Sequence, residues 1–391
     1  MLLLLPLALS SATPAGPPQK TVAQKSETVL TPDTEARWVP FEVTAGNQLR
    51  FAAQVDGVPA RGVLDTGLSD TIVTARFART LALKSVHREQ ATAIGGSVTL
   101  DWAALKSLSF GGLQRRGGRV GIAGAGGEAR FEADIFIGAD VLGCCALEID
   151  YDARRFRLLR SGRMPLTGTT APLSRARPSG VFLSEVTLGG RRLRPVILDT
   201  GDGSSVTLTR SAWGSTGARG VAVTTTLGWG VGGALVSDVA IVPGLGLAGV
   251  APPETEVRIE DDKGYSARVG AAGRIGNGLL GRFHVLLDPS AGRLVVSPGT
   301  ARDAAPPRST SGLLLGAAAD QLRVLHVMRG SPAALAGWRE GETICAVDGV
   351  AVPQLVARGD AIGWGARAPG MIVRLTLCDG RERSLTLRRF Y

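Results

Sequence analysis

The sequence predicts a mainly β protein: two copies of one β-barrel unit in a pseudo-twofold arrangement, followed by a small α+β module. Three observations carry this expectation. The 391 residues include 53 glycines and few long stretches of 3.6-residue apolar period, a pattern of short strands joined by tight turns. The strand-like segments recur as an internal duplication. After the second copy the chain changes character, to a compact helix signal followed by strand and turn.

Composition limits the alternatives. At roughly 150 residues per domain the length suggests two or three domains. With 44% apolar and 20% charged residues the chain reads as globular, and no run approaches the roughly 18 apolar residues of a membrane span. The net charge of +10 comes almost entirely from scattered arginines, lysine occurring only at 20, 25, 84, 106 and 263. A nucleic-acid surface would show clustered bases with interleaved aromatics, so no nucleic-acid partner is expected. Four cysteines without C-x-x-C spacing and three histidines offer no metal set. Cys144 and Cys145 lie in an apolar run and read as core residues. Cys345 and Cys378 fall in separate strand-like segments that a disulfide could join in an oxidising compartment. Residues 1–12 resemble a secretory signal without its basic start, which suggests a periplasmic or secreted protein; the alternative is an unprocessed apolar tail. Residues 13–35, rich in Pro, Thr, Ser and Lys, read as a linker.

The duplication sets the remaining boundaries. Phe51 to Thr74 and Phe182 to Thr209 share one grammar: a strand, a two-residue turn (Asp56-Gly57 or Gly189-Gly190), then a strand ending in Asp-Thr-Gly. The triplets are Asp65-Thr66-Gly67 and Asp199-Thr200-Gly201. Downstream come Ile-Gly-Ala-Asp-Val-Leu-Gly at 137–143 and Ile-Gly-Asn-Gly-Leu-Leu-Gly at 275–281, each leading to a strand, a turn and a last strand. The units span 36–162 and 172–298. Between these landmarks each carries a Gly-rich strand pair, at Ile94-Gly95-Gly96 and at Gly228-Trp229-Gly230. These are either plain surface hairpins or flaps that close over a cleft.

Two Asp-Thr-Gly turns at equivalent places have a chemical rationale. Asp at a strand end presents a carboxylate, Thr braces the turn through its hydroxyl, and Gly lets another backbone approach. If the units face each other, Asp65 and Asp199 share one proton, because adjacent carboxylates cannot both ionise cheaply. Such a pair is an acid and a base at once. No G-x-S-x-G elbow is present, and the scattered histidines offer no partner for a cysteine nucleophile.

On these motifs the two units resemble retropepsin-type aspartic protease domains, with the 137–143 and 275–281 segments matching the element that backs the catalytic turn. The resemblance covers about two thirds of the chain. It implies closed or partly closed β-barrels, flaps near Gly95 and Gly230, interlocking Thr66 and Thr200, and hydrolysis of peptide bonds by Asp65 and Asp199 without metal or organic cofactor. The chain departs from the family after the triplets, where Leu68 and Asp202 replace the usual Ser, Thr or Ala, and Gly203 is an extra residue before Ser204-Ser205.

Beyond a linker at 299–311, residues 312–391 include Gly330-Ser331-Pro332-Ala333-Ala334-Leu335-Ala336-Gly337, with Ser as N-cap, Pro at the first helical position and Gly as terminator. Together with Gly341-Glu342-Thr343-Ile344 this resembles a bacterial PDZ domain, Glu342 standing where Asp is usual. A PDZ domain adds an extended peptide to a sheet edge and captures its terminal carboxylate. Gly312-Leu313-Leu314-Leu315-Gly316 is the candidate loop; the alternative is a core strand without a ligand. The resulting expectation is a monomeric aspartic endopeptidase acting on peptides or unfolded protein, with a C-terminal peptide as a further partner of the PDZ-like module. Its rivals are a catalytically inactive peptide-binding protein on the same folds, and an enzyme whose site forms between whole chains.

Overall fold

The computed structural model describes residues 26–124, 132–218 and 220–391; the signal-like residues and most of the 13–35 segment lie outside these. The protein is mainly β. In the first unit the hairpin Leu49–Val55/Val58–Leu64 turns at Asp56 and Gly57, with φ of 51° and 79°. In the second, Phe182–Leu188/Arg191–Leu198 turns at Gly189 and Gly190, at 57° and 73°. Both pairs have the positive angles that a tight hairpin turn demands.

The strands that follow repeat the same pairing. Ile135–Ile137 lies parallel to Val58–Leu64 and antiparallel to Ile72–Thr74. Gly273–Ile275 lies parallel to Arg191–Leu198 and antiparallel to Val206–Thr209. Each post-triplet strand ends in a threonine that caps the next short helix: Thr74 accepts the Phe77 N–H and Thr209 the Ala212 N–H.

A third sheet belongs to both units. Ala146–Asp150 runs antiparallel to Phe283–Asp288, with Leu147 opposite Leu287, and each is flanked by its own unit's last strand. Asp150 and Asp288 close their turns by accepting the N–H groups of Ala153 and Ala291. One buried apolar cluster runs through both units, from Phe51 and Phe156 to Phe182 and Phe283. Each fully buried side chain of this size contributes roughly 1.5–3 kcal/mol, so the units are held face to face.

The expected linker boundaries and cysteine placement need correction. Glu27–Leu30, inside the 13–35 linker, is an edge strand paired with Leu113–Arg116. The stretch between the units joins the shared sheet: Thr169–Pro172 lies at one edge and Val39–Pro40 takes the symmetric place at the other, so short segments and not the long central strands form the edges. Cys144 is exposed, only Cys145 is buried, and the two sulfurs are bonded to each other. Both stand in the turn between the helix Ala139–Leu142 and the strand Ala146–Asp150, so the run's apolar pattern does not carry both into the core.

The C-terminal module has its own core around Val324, Trp338, Trp364 and Leu375. Its main sheet runs in the order Leu313–Ala317, Leu322–Val327, Thr343–Val347, Ile372–Leu377, Glu382–Thr386. Ser331 caps the helix Pro332–Leu335 by accepting the Ala334 N–H at 3.1 Å, and Gly337 ends the following turn at φ 71°. Cys345 on Thr343–Val347 is bonded to Cys378, just past the end of the neighbouring Ile372–Leu377. Thr310 and Ser311, placed in the 299–311 linker, already belong to this module, both N–H groups donating to the Gly365 carbonyl. No helix among the described residues is long and apolar enough to cross a membrane.

Candidate active site

Asp65 and Asp199 each end the second strand of their unit's first hairpin, and each turn is held from behind by the aliphatic-Gly element. The Asp65 N–H donates to Ile137 O at 3.0 Å and the Asp199 N–H to Ile275 O at 2.8 Å. Ala139 N–H returns to Leu68 O and Asn277 N–H to Asp202 O, both at 2.8 Å. The two turns then interlock through Thr66 and Thr200, whose hydroxyls are buried and accept each other's backbone N–H.

The structure brings the two carboxyls together. Gly67 lies against the Asp199 carboxylate and Gly201 against that of Asp65, so closely that a Cβ at either position would overlap the carboxyl group. This is the physical requirement for the third residue of both triplets. The carboxyls hydrogen-bond to each other. Burial, then the charge of Asp199, pushes Asp65 well above the ordinary carboxyl range. Burial and the Asp202 charge push Asp199 up to about 6, against the opposing effects of Arg274 and the Gly201 N–H. Asp199 Oδ1 accepts the N–H groups of Gly201 and Asp202 at 3.0 and 3.1 Å. Burial and neighbouring carboxylate charge thus hold both carboxyls above the usual range, so the pair carries one shared proton beside one ionised partner.

Asp202 is not a spare base. Its carboxylate accepts the Ser204 N–H at 2.8 Å and pairs with buried Arg274 at 3.2 Å, and Arg274 also pairs with Glu260 at 3.0 Å. Although burial opposes its charge, Arg274 and then Arg258 hold the Asp202 carboxyl below its usual range.

The Gly-rich hairpins meet above the dyad. The first is Ser85–Ala93/Gly96–Ala104 with Ile94-Gly95 at the turn, and the second is Thr224–Gly230/Gly233–Val242 with Val231-Gly232 at the turn. Gly232 N–H donates to Ile94 O at 2.9 Å. The tip of the second flap thus lies just beyond the expected Gly228, Trp229 and Gly230, which sit on its ascending strand. Beneath the flaps is a cleft of about 520 Å³ that reaches both aspartates, with a side pocket of about 210 Å³ on the first unit.

Asn277, inside the 275–281 element, and Asn47, Gln48 and Tyr265, which carry no local motif, also hold the turns. Asn277 Nδ2 donates to Thr200 O at 2.7 Å and to Asn47 O at 2.9 Å, while Gln48 Nε2 donates to Gly201 O at 2.7 Å. Asn47 Nδ2 holds the O of the extra residue Gly203 at 2.9 Å. Tyr265 lines both cavities and places its hydroxyl 3.4 Å from Gly67 O. Aligning the two copies is the signal that would have found Arg274, because it occupies the place of Phe136.

The expected PDZ loop lies away from this cleft. The Gly312 and Leu313 N–H groups donate to the hydroxyls of Ser309 and Ser311 at 2.8 and 3.2 Å. Leu313–Ala317 pairs with Leu322–Val327 on one side only and is an edge of its sheet.

Comparison with known proteins places residues 51–141, from the first hairpin to the backing helix, in a match with a family described as aspartyl protease. Among solved structures, the crystal structure of an aspartic proteinase from Irpex lacteus is similar over 68% of this chain and 98% of that one, at 13% identity and a TM-score of 0.42. A search of curated proteins found no match.

Proposed function

We propose that the chain is an aspartic-type endopeptidase whose dyad is supplied by one molecule. The observation that carries this reading is the contact between the Asp65 and Asp199 carboxyls across interlocked turns under two flaps; the family match at 51–141 supports it. Ionised Asp199 takes a proton from a water while Asp65 gives its proton to the substrate carbonyl oxygen, and the water oxygen bonds to the carbonyl carbon. Collapse of the resulting diol breaks the C–N bond: Asp199 gives its proton to the leaving amine, the now ionised Asp65 takes one from a diol hydroxyl as the carboxylic acid forms, and the dyad is singly protonated again. No covalent enzyme intermediate forms.

The C-terminal module reads best as PDZ-like, recruiting an extended peptide by strand addition along the free edge of Leu313–Ala317. An exported, periplasmic or secreted location accords with the Cys345–Cys378 disulfide.

The test is proteolysis of an unfolded-protein panel from pH 4 to 8. Wild type should cut, and Asp65→Asn and Asp199→Asn should each abolish cutting, with the double variant no worse and specific activity constant on dilution. A wild type that binds but leaves the panel intact at every pH would establish the binding protein instead.

A further inference from the structure

The shared register of the two units allows their cleft walls to be compared position by position. In the first unit Ile72 lies beside Gly121, and Gly121 faces Trp102. In the second, Thr207 lies beside Arg258, and Arg258 faces Val239. The same pairing matches Phe136 with Arg274, both opposite the post-triplet strand, and Leu100 with Ser237, two residues before Trp102 and Val239. The first wall is an apolar cluster that includes Ile72, Leu100, Trp102 and Phe136, with Leu68 and the flap residue Val231 packed on it. On the second wall Asp202 takes the place of Leu68, Thr207, Ser237 and Arg274 take those of Ile72, Leu100 and Phe136, Arg258 stands where the first wall has Gly121, and Val239, buried at the place of Trp102, stays apolar.

The two arginines differ in what they have left to offer. Arg274 is only 4% exposed and is engaged by Asp202 and Glu260. Arg258 is 27% exposed on the cleft wall, and its Nε is 3.3 Å from Glu256. Its two terminal nitrogens make no hydrogen bond among the described residues. They reach the underside of the second flap, where a Cβ on Gly228 would stand 3.0 Å from Nη1. A substrate side chain filling this space meets guanidinium donors that water no longer serves, and an apolar side chain there would leave them unpaired.

We propose that the cleft reads the two sides of the scissile bond differently. The first unit takes an apolar side chain, and the second takes one that accepts hydrogen bonds from Arg258, a carboxylate or carboxamide of Glu or Gln length. Asp202, Glu260 and Glu256 outnumber the two arginines, so the wall does not demand a full negative charge. This inference deepens the peptidase reading and rests on it for the scissile bond.

The experiment uses peptides with Leu on one side of the scissile bond and Glu, Gln, Leu or Lys on the other, in both orders. Turnover is measured with the full wild-type chain, and binding of the same peptides with Asp65→Asn. In one order, Glu and Gln should exceed Leu by about 10- to 100-fold in kcat/KM, Lys should be poorest, and the ranking should recur in binding. Arg258→Met should reverse the Gln-to-Leu preference. Arg258→Glu, which tests the same contact by charge reversal, should make Lys the preferred residue. Leu on both sides being the best wild-type substrate, or an unchanged ranking in folded Arg258 variants, overturns the inference. The predicted ranking in binding with no turnover refutes the peptidase reading and leaves the selectivity standing; neither binding nor turnover refutes both.

Discussion

The Thr66 hydroxyl accepts the Thr200 N–H at 3.1 Å, and the Thr200 hydroxyl accepts the Thr66 N–H at the same distance. Each hydroxyl also donates across the unit boundary, Thr66 to Leu198 O at 2.6 Å and Thr200 to Leu64 O at 2.9 Å. Four buried hydrogen bonds therefore fix the register of the two aspartate turns, so the dyad's geometry depends on groups that never touch substrate.

Replacing Thr66 by Val keeps the shape and strands the Thr200 N–H and Leu198 carbonyl in a dry interior. Each stranded group costs about 1–3 kcal/mol. Urea unfolding should show a loss in that range or above for Thr66→Val and Thr200→Val, with activity falling too, while Thr66→Ser should retain most of both. Equal stability of the Val variant and wild type would show that the interlock carries no energy.

The dyad's pH behaviour follows from its asymmetry. Below about pH 6 Asp199 is protonated and the base is lost, so kcat/KM should fall as pH drops through about 6. The alkaline limb reports loss of the pair's remaining shared proton. Because Asp202 raises Asp199, Asp202→Asn should move the acid limb downward. Stability runs the other way. A carboxyl whose folded value lies above its unfolded one stabilises the fold fully below the unfolded value, near 3.8, and loses that contribution as pH rises through the folded value. Asp199→Asn should therefore gain stability relative to wild type between pH 4 and 8. A stability difference that stays constant over that interval would contradict the raised carboxyl.

Much of this site was legible because its signals are local or duplicated. The Asp-Thr-Gly turns, the Asp56-Gly57 and Gly189-Gly190 hairpins and the two backing elements are each written in a few consecutive residues, and the repeat doubled their weight. The second hairpin near Gly230 was legible, but not its turning point, because Gly228, Gly230, Gly232 and Gly233 all suit a turn. Strand register decides among them, and it comes from pairing with Gly233–Val242. Asn47, Gln48 and Tyr265 reach the dyad turns only through contacts spanning more than 100 residues, which no local pattern encodes. Asp202 stood beside the triplet in the sequence, but only the fold shows its charge spent on Arg274.

The flap tips touch backbone to backbone. A Cβ on Gly95, which has φ 91°, would stand 2.5 Å from Gly233 O and 2.8 Å from Gly233 N. Gly95→Ala should thus hold the flaps apart and lower kcat/KM at least about 10-fold by admitting water and loosening substrate. The urea midpoint should barely move, since the tip is remote from the shared core. Unchanged kinetics would show that the tips need not meet during turnover.

The C-terminal module grips the base of the second flap. Thr224 Oγ1 donates to Arg329 O at 2.7 Å, Thr225 Oγ1 accepts the Arg329 N–H at 3.0 Å and lies 2.8 Å from His326 Nε2, and Arg329 pairs with Asp238 at 3.0 Å. Thr224 and Thr225 open the flap's ascending strand, while His326 lies on Leu322–Val327, the neighbour of the free edge strand. The exposed Arg329–Asp238 pair is worth little by itself, so the seam rests on the two threonine hydroxyls. A module that only recruited substrate would be dispensable for short peptides; this seam argues otherwise. The change Thr224→Val with Thr225→Val removes the grip without removing the module, and it should alter KM for a short peptide several-fold while leaving the module's own unfolding transition in place. If short-peptide kinetics match wild type, the module acts in recruitment alone and the seam is passive. If they change, occupancy of the Leu313–Ala317 edge and flap position share one set of hydrogen bonds, and a peptide added at that edge should shift KM in wild type but not in the double variant.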